Sequence, residues 1–231
     1  MERGSIFLTP RLAAAYERLS GCSSVADIGC DHGKLICALL QTGAVARGVA
    51  VDVSGPSLAK AAALAERTGV LDRLELREGD GFRPISPGET EAAALLGMGG
   101  TLMAALLEDC KTPFCGMRRI VFQPMRAAED IRSRLYSWDC RILWDVLVRE
   151  RGRLYQVFEA LPPGSGAEPL PAGWPEGYFA LGYTAYARRD PLLYELAADK
   201  LERARARLKN APHAAALQRE AMCLAQIVRG F

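Results

Sequence analysis

Residues 25–33, Val25-Ala26-Asp27-Ile28-Gly29-Cys30-Asp31-His32-Gly33, decide how the rest of the chain is read. A short apolar run with strand character ends in a glycine turn, and Leu35 to Gln41 continues with helical spacing. A strand that hands over to a helix through glycines starts a parallel β-α-β arrangement. Backbone amides and a helix N-terminus then meet at the turn. The turn is not G-x-G-x-x-G, because Asp31 stands where the middle glycine belongs and Gly33 follows two residues later. Asp31 would repel a pyrophosphate and suits a cationic ligand better, which disfavours a nicotinamide-dependent oxidoreductase.

The same alternation extends outward. Gly48 to Val53 is a second strand, and Ser57 is expected to cap an alanine-rich helix that Gly69 stops. Leu74 to Glu78 ends in Gly79-Asp80-Gly81, and Ala92 to Leu96 ends in Gly97-Met98-Gly99-Gly100 before a helix from Thr101 to Glu108. Arg119 to Phe122 is stopped by Gln123-Pro124, and a helix follows from about Ala127 to Tyr136. Thr9-Pro10 opens a short helix ahead of them all. Ile142 to Arg149 and Arg153 to Glu159 form a hairpin about Arg151-Gly152. The expected fold is α/β: a doubly wound, mostly parallel sheet with an antiparallel strand at one edge.

Composition then changes. Leu161 to Gly177 holds five prolines and four glycines in seventeen residues. Beyond it Leu193, Ala197, Leu201, Ala204 and Leu208 form one apolar seam, and Leu217, Ala221, Leu224 and Val228 form another across Asn210-Ala211-Pro212. The expected organisation is a body over residues 1–161, a Pro/Gly-rich linker over 162–177 and a coiled-coil-like helical hairpin over 178–231.

The 231 residues carry 29 basic and 27 acidic side chains, a balance that disfavours a uniformly basic nucleic-acid coat. Residues 178–231 nevertheless hold nine basic against five acidic side chains, so the hairpin is the basic part. Seven scattered cysteines without a C-x-x-C pair and only two histidines speak against a metal centre. Cys110 and Cys115 read as ordinary small apolar residues rather than nucleophiles. The N-terminal segment lacks a signal-peptide core, and Ala92 to Leu107 is too short to span a membrane. A cytosolic protein with reduced thiols and no membrane partner is expected.

The strand ends carry the chemistry. Asp52 closes the second strand, where a carboxylate can take both hydroxyls of a ribose. Asp80 closes the third, where it can face an adenine ring, and the Gly97–Gly100 loop lets a ligand approach backbone. Acids without a phosphate cradle fit S-adenosylmethionine, which joins an amino-acid end, an adenosine and a sulfonium. Each feature also has a structural account: Asp27 as a brace of the turn, Asp52 as a helix-start acid, Asp80 as an ordinary turn.

In order along the chain stand Ala26 to Gly33, Asp52-Val53-Ser54-Gly55-Pro56, Glu78-Gly79-Asp80-Gly81, Gly97 to Gly100, Gln123-Pro124 and Arg151-Gly152-Arg153-Leu154-Tyr155. With these motifs the chain resembles the bacterial tRNA adenine-22 N1-methyltransferase family (TrmK) from about Arg11 to Glu159, and more weakly over Leu181 to Asn210. The resemblance implies a Rossmann-like class I methyltransferase domain, a C-terminal helical domain, S-adenosylmethionine as donor with S-adenosylhomocysteine as product, and tRNA as acceptor. A monomer or weak dimer without a metal is expected.

Carried over position by position, the donor side would be lined by Arg11, Asp27, Gly29, Asp31, His32 and Gly33 from the first part. Asp52, Val53, Gly79, Asp80, Gly81, Gly97, Met98 and Gly99 would complete it. Lys34, Gly100, Gln123, Pro124 and Arg126 would face the acceptor. Asp31, or else His32, would stabilise charge on the base or take a proton, although both residues could serve only the donor and the loop. Two positions depart from the family pattern: Lys34-Leu35-Ile36 replaces an aromatic, leucine and proline, and Met125 replaces an asparagine.

Candidate RNA contacts are Arg126, Arg132 and Arg134 after the fifth strand, with Arg188, Arg189, Lys200, Arg203, Arg205, Arg207 and Lys209 in the hairpin. Two alternatives keep the same residues: a methyltransferase of this fold acting on another RNA or a small molecule, and a non-catalytic RNA- or protein-binding module.

Overall fold

The computed structural model describes residues 5–109, 114, 116–175 and 177–231, so Cys110 and Cys115 lie outside the described residues. The elements alternate as α1 (Pro10–Leu19), β1 (Ser24–Ile28), α2 (Lys34–Gln41), β2 (Arg47–Asp52), α3 (Gly55–Thr68), β3 (Leu74–Glu78), β4 (Ala92–Leu96), α4 (Gly100–Asp109), β5 (Arg119–Gln123) and α5 (Ala128–Ser137). A hairpin of β6 (Ile142–Glu150) and β7 (Arg153–Ala160) follows. Then come α6 (Tyr183–Ala187), α7 (Pro191–Asn210) and α8 (Ala215–Gly230). One cap differs from expectation. Ser54, not Ser57, caps α3 by accepting the Ser57 amide at 3.3 Å, because Pro56 already lies in the first helical turn.

The strands stand in the order β3-β2-β1-β4-β5-β7-β6. β1 to β5 are parallel neighbours, whereas β7 pairs antiparallel with both β5 and β6. The antiparallel strand therefore sits one place inside the edge. β6 arrives after the α5 crossover running with the parallel set, and the tight Arg151-Gly152 turn, both residues at positive φ, folds β7 back into the gap.

Alternation along the strands separates two apolar layers. Val25, Ala50, Ala94 and Val121 face α1, α2 and α3. Ala26, Ile28, Val51, Leu95 and Phe122 face α4 and α5, in one continuous core with Leu193, Ala197, Leu201, Leu217, Leu224 and Ile227 of α7 and α8. Six of the expected seam residues are thus buried and join the body's core, Leu208, Ala221 and Val228 are only partly buried, and Ile227 takes the last buried place on α8.

One buried charge holds that junction. Arg132 in α5 is fully buried and forks onto Asp145 of β6, Nε to Oδ2 at 3.1 Å and Nη2 to Oδ1 at 3.0 Å. Its Nη1 donates to the Phe179 carbonyl at 3.2 Å, and the guanidinium lies 4.5 Å from the Phe158 ring centroid. Arg188 donates to the Asp145 carbonyl. A Cβ at Gly182 would fall 2.4 Å from Asp145 Oδ2, so only glycine fits there. Arg132 is therefore removed from the RNA candidates: it stands among Ala128, Ile131 and Leu135 on the inward face of α5.

Replacing Asp145 by alanine strands a guanidinium in the core and should cost about 3–5 kcal/mol of stability. Thermal unfolding measures it. The double variant Arg132→Met with Asp145→Leu should recover part of that loss, since no charge is then buried alone.

Candidate functional site

The order of strands reverses between β1 and β4, and in an open parallel sheet the crevice for a ligand lies outside the carboxyl ends at that point. The loop after β1 opens the crevice. Gly29 and Cys30 donate to the Val51 carbonyl at 2.8 and 3.1 Å, which ties the turn to β2. Asp31 takes a left-handed backbone, φ 48°, and its exposed carboxylate lies 2.5 Å from His32 Nδ1. Gly33 also has positive φ, and a Cβ there would come within 2.8 Å of the Ala61 methyl, so glycine alone brings α2 this close to α3.

Asp52 is the knot of the next loops. Its Oδ2 accepts the Asp31 amide at 3.0 Å, its Oδ1 accepts the Ser54 amide at 2.9 Å, and its carbonyl accepts the Gly79 amide at 3.0 Å. Three strand ends are thereby fixed to one residue. Val53 beside it is 66% exposed, an apolar side chain held open at the mouth of the crevice. Asp80 is exposed and 3.6 Å from Arg83. Gly79 packs against Pro84 and Gly81 against Leu106, both too closely for a Cβ.

Across the switch point Gly97 has positive φ and open space where a Cβ would stand. The Met98 side chain lies over Gly29, 3.2 Å from the position of a Cβ there. Gly100 touches the Ala127 carbonyl so closely that any side chain is excluded, and its amide donates to the Arg126 carbonyl at 2.8 Å. Met125 donates to the Met98 carbonyl at 2.8 Å, so the loops after β4 and β5 are zipped together. Arg126 is exposed beside Gly99, and Lys34 is exposed at the first turn of α2.

Arg11 reaches this far side from α1. Its Nη1 donates to Gln123 Oε1 at 3.1 Å and lies 3.3 Å from Met125 Sδ, while Nε lies 3.4 Å from Glu150 Oε1. The guanidinium carbon stands 5.3 Å from the Tyr155 ring centroid. Gln123 is buried and donates to the Pro124 carbonyl, so both ends of its amide are engaged within the protein. Glu150 escaped the sequence reading. Its place at the end of β6 opposite Arg153, beside the Arg151-Gly152 turn, is the signal that could find it.

Asp27 lies beneath the turn, 5% exposed, and its carboxylate takes the Ile36 amide in the first turn of α2. Burial raises its pKa to about 7, the Ile36 hydrogen bond opposes this, and the Asp52 charge adds to it. Burial likewise raises the Cys30 thiol, and the Cys37 thiol to about 12, so neither supplies a thiolate.

The structure brings Gly29, Asp31, Asp52, Gly79, Gly97 and Met98 around one crevice, and Gln123, Pro124 and Arg126 onto the loop zipped to its far side. Carboxylates on consecutive strand ends and glycines that admit a ligand to the backbone suit a hydroxyl-rich ligand with cationic groups.

A profile of the family described as "Methyltransferase domain" matches residues 8–158, which carry every loop of this crevice. The chain belongs to the methyltransferase-domain family. The chain is 31% identical over 153 residues to the tRNA (adenine(22)-N(1))-methyltransferase of Bacillus subtilis, an alignment covering 66% of this chain and 64% of that protein. The whole chain is similar in fold to solved structures. The Bacillus subtilis M1A22 tRNA methyltransferase TrmK superposes with a TM-score of 0.80 at 23% identity, covering 97% of each chain. The Streptococcus pneumoniae Sp1610 protein, a putative tRNA (m1A22) methyltransferase in complex with S-adenosyl-L-methionine, gives 0.83 at 19% identity over 96% of this chain and 100% of that one.

Between about pH 4 and 7 the folded domain holds a proton on Asp27 that the unfolded chain has released. Stability should therefore fall as pH rises through that window, by on the order of 3–4 kcal/mol from this residue. Asp27→Asn keeps an acceptor for the Ile36 amide and should flatten that slope in urea unfolding measured from pH 4.5 to 8.

Proposed function

We propose that this methyltransferase transfers a methyl group from S-adenosylmethionine to N1 of an adenine in tRNA, adenine 22 as in the Bacillus subtilis relative. One observation carries the reading. The chain matches that relative over 153 residues, the family model spans the crevice-bearing part, and the fold, helical hairpin included, extends over 97% of the Bacillus subtilis TrmK structure.

The donor supplies an electrophilic methyl on a sulfonium. The fit is tested by the rim itself: Asp52 is already oriented by two amides and keeps lone pairs for ribose hydroxyls, and Asp80 stands where an adenine amino group can be met. Asp31 and His32 offer an anionic, exposed pair to the cationic amino-acid end or to the base. Gly97 leaves room for a ligand along the backbone.

Adenine N1 carries a lone pair at neutral pH and needs no prior deprotonation. The work of the protein is alignment for in-line displacement and a favourable field for positive charge moving onto the base. The zipped Met98 and Met125 loops, fixed from behind by Arg11 and Gln123, form the wall against which the base is placed. Asp31 is the anion best placed to meet the charge that develops.

Incubation with labelled S-adenosylmethionine and bacterial tRNA should yield N1-methyladenosine at position 22. Donor binding without transfer to tRNA would favour a small-molecule or other RNA acceptor. No donor binding would leave a non-catalytic module. Asp52→Ala should weaken donor binding about tenfold or more by calorimetry, since hydrogen bonds to a charged partner are lost. Unchanged affinity would place the ribose elsewhere.

A further inference from the structure

The basic candidates of the hairpin sort sharply once their partners are known. Arg203 pairs with Asp199 at 3.0 Å, Arg207 approaches Glu220 at 3.8 Å, and Arg188 is turned onto the Asp145 carbonyl. Arg189, Arg219 and Arg229 are exposed and, among the described residues, have no acidic partner. Arg229 Nε bonds only the Ala225 carbonyl of its own helix, at 3.2 Å, which leaves its terminal nitrogens outward.

These three guanidinium groups line two adjoining hollows. The larger, about 680 Å³, lies between the segment Gly173-Trp174-Pro175 and the α8 face carrying Arg219, Met222, Gln226 and Arg229. The smaller, about 360 Å³, continues past Pro171 and Ala172 to Tyr186, Arg189 and Gly230. Residues 173–175 and Arg229 line the first and residues 171–172 and Gly230 the second, so the two hollows follow one another along the same segment and helix end and are taken together as one furrow. The Tyr186 hydroxyl fills the space a Cβ would take at Gly230 and stands 3.1 Å from that position at Gly173, closing the floor between strap and helix.

Two features of the furrow are unresolved by the protein's own contacts. Trp174 is 7% exposed, and its Nε1 has no hydrogen-bond partner among the described residues. Met222 is a large apolar side chain 64% exposed on α8. Arg219 and Arg229, ten residues apart on α8, are separated by about 15 Å along its axis. That span exceeds the spacing of neighbouring charges on a nucleic-acid strand, about 3.4 Å per strand step along a duplex, so the pair can engage separate phosphates.

We infer that the furrow between residues 171–175 and α8 is a binding track for an RNA strand. Arg189, Arg219 and Arg229 take backbone phosphates, and Met222 offers an apolar surface to a base. The inference rests on the proposed tRNA acceptor and locates where the body of that RNA is held. Forked guanidinium groups suit phosphate oxygens, and backbone contacts of this kind need no sequence readout.

The test uses the full chain with Arg189, Arg219 and Arg229 changed together to alanine, beside an Arg67→Ala control on the exposed face of α3. These residues are exposed, and unfolding temperature is checked in each variant. The triple variant should bind tRNA at least tenfold more weakly, with a shallower salt dependence by about one unit per lost phosphate contact. The Michaelis constant for tRNA should rise, while S-adenosylmethionine affinity and turnover at saturating tRNA stay unchanged. Arg67→Ala should leave the salt slope as it is.

A salt slope and tRNA affinity equal to wild type overturn the inference. So does loss of affinity for polyglutamate, but not for tRNA, which would make the furrow an acidic-peptide surface. Arginine-dependent tRNA binding without methyl transfer by the wild type would uphold the furrow and refute the proposed activity. Methyl transfer with an unaltered slope in the variant would do the reverse.

Discussion

A guanidinium without access to water must find its counter-charge inside the protein, and Arg132 finds it in Asp145. Such a pair adds little net stability over a well-packed apolar substitute, because desolvating two ions offsets most of their attraction. Its contribution is positional. The fork fixes the rotation of α5 against β6, and the third donor, to the Phe179 carbonyl, fixes where the chain returns after the proline-rich segment. Residues 179–188 are seated from there, with Gly182 against Asp145 and Arg188 on its carbonyl, and α7 and α8 follow from that seat.

The fold was legible because each strand ends in a conformational signal. Glycine or aspartate closes β1 to β4 and Gln123-Pro124 closes β5, so the pattern of apolar runs and stops already implied a crevice along one edge. The acids at those ends could be read as ligands for the same reason: Asp31, Asp52 and Asp80 stand where a buried strand releases its last side chain into solvent. Their mutual arrangement could not. Asp52 holding the Asp31 amide depends on the β1–β2 register, which is a property of the pairing and not of either segment, whereas its bond to the Ser54 amide is local.

Arg132 shows the opposite failure. Listed beside Arg126 and Arg134 it reads as part of a basic cluster, yet its spacing of four from Ala128 and three from Leu135 sets it on the apolar face of α5. Asp145 is likewise in phase with buried Leu147 on β6. Two opposite charges on the inward faces of neighbouring elements announce a pair, provided periodicity is applied to charged residues as strictly as to apolar ones. Ser57 was misjudged as a cap for a related reason: Pro56 had already begun the helix. Arg219 and Arg229 carried no signal, since what distinguishes them from Arg203 and Arg207 is only the absence of an acid within reach.

Net charge is a poor guide to such a molecule because the two signs are kept apart. The first 177 residues carry slightly more acid than base, and acids occupy the crevice where positive charge must be accommodated. The basic excess lies in residues 178–231, where three of the seven arginines, Arg188, Arg203 and Arg207, are already committed to carboxylates or backbone. Three of the others, Arg189, Arg219 and Arg229, line the furrow. An acidic crevice would repel the phosphates of a polyanionic acceptor unless the latter were held elsewhere, so the proposed chemistry itself calls for a basic surface set apart from the crevice. The buried fork supplies the connection between the two, since it fixes the helical hairpin to the edge of the sheet that carries the crevice.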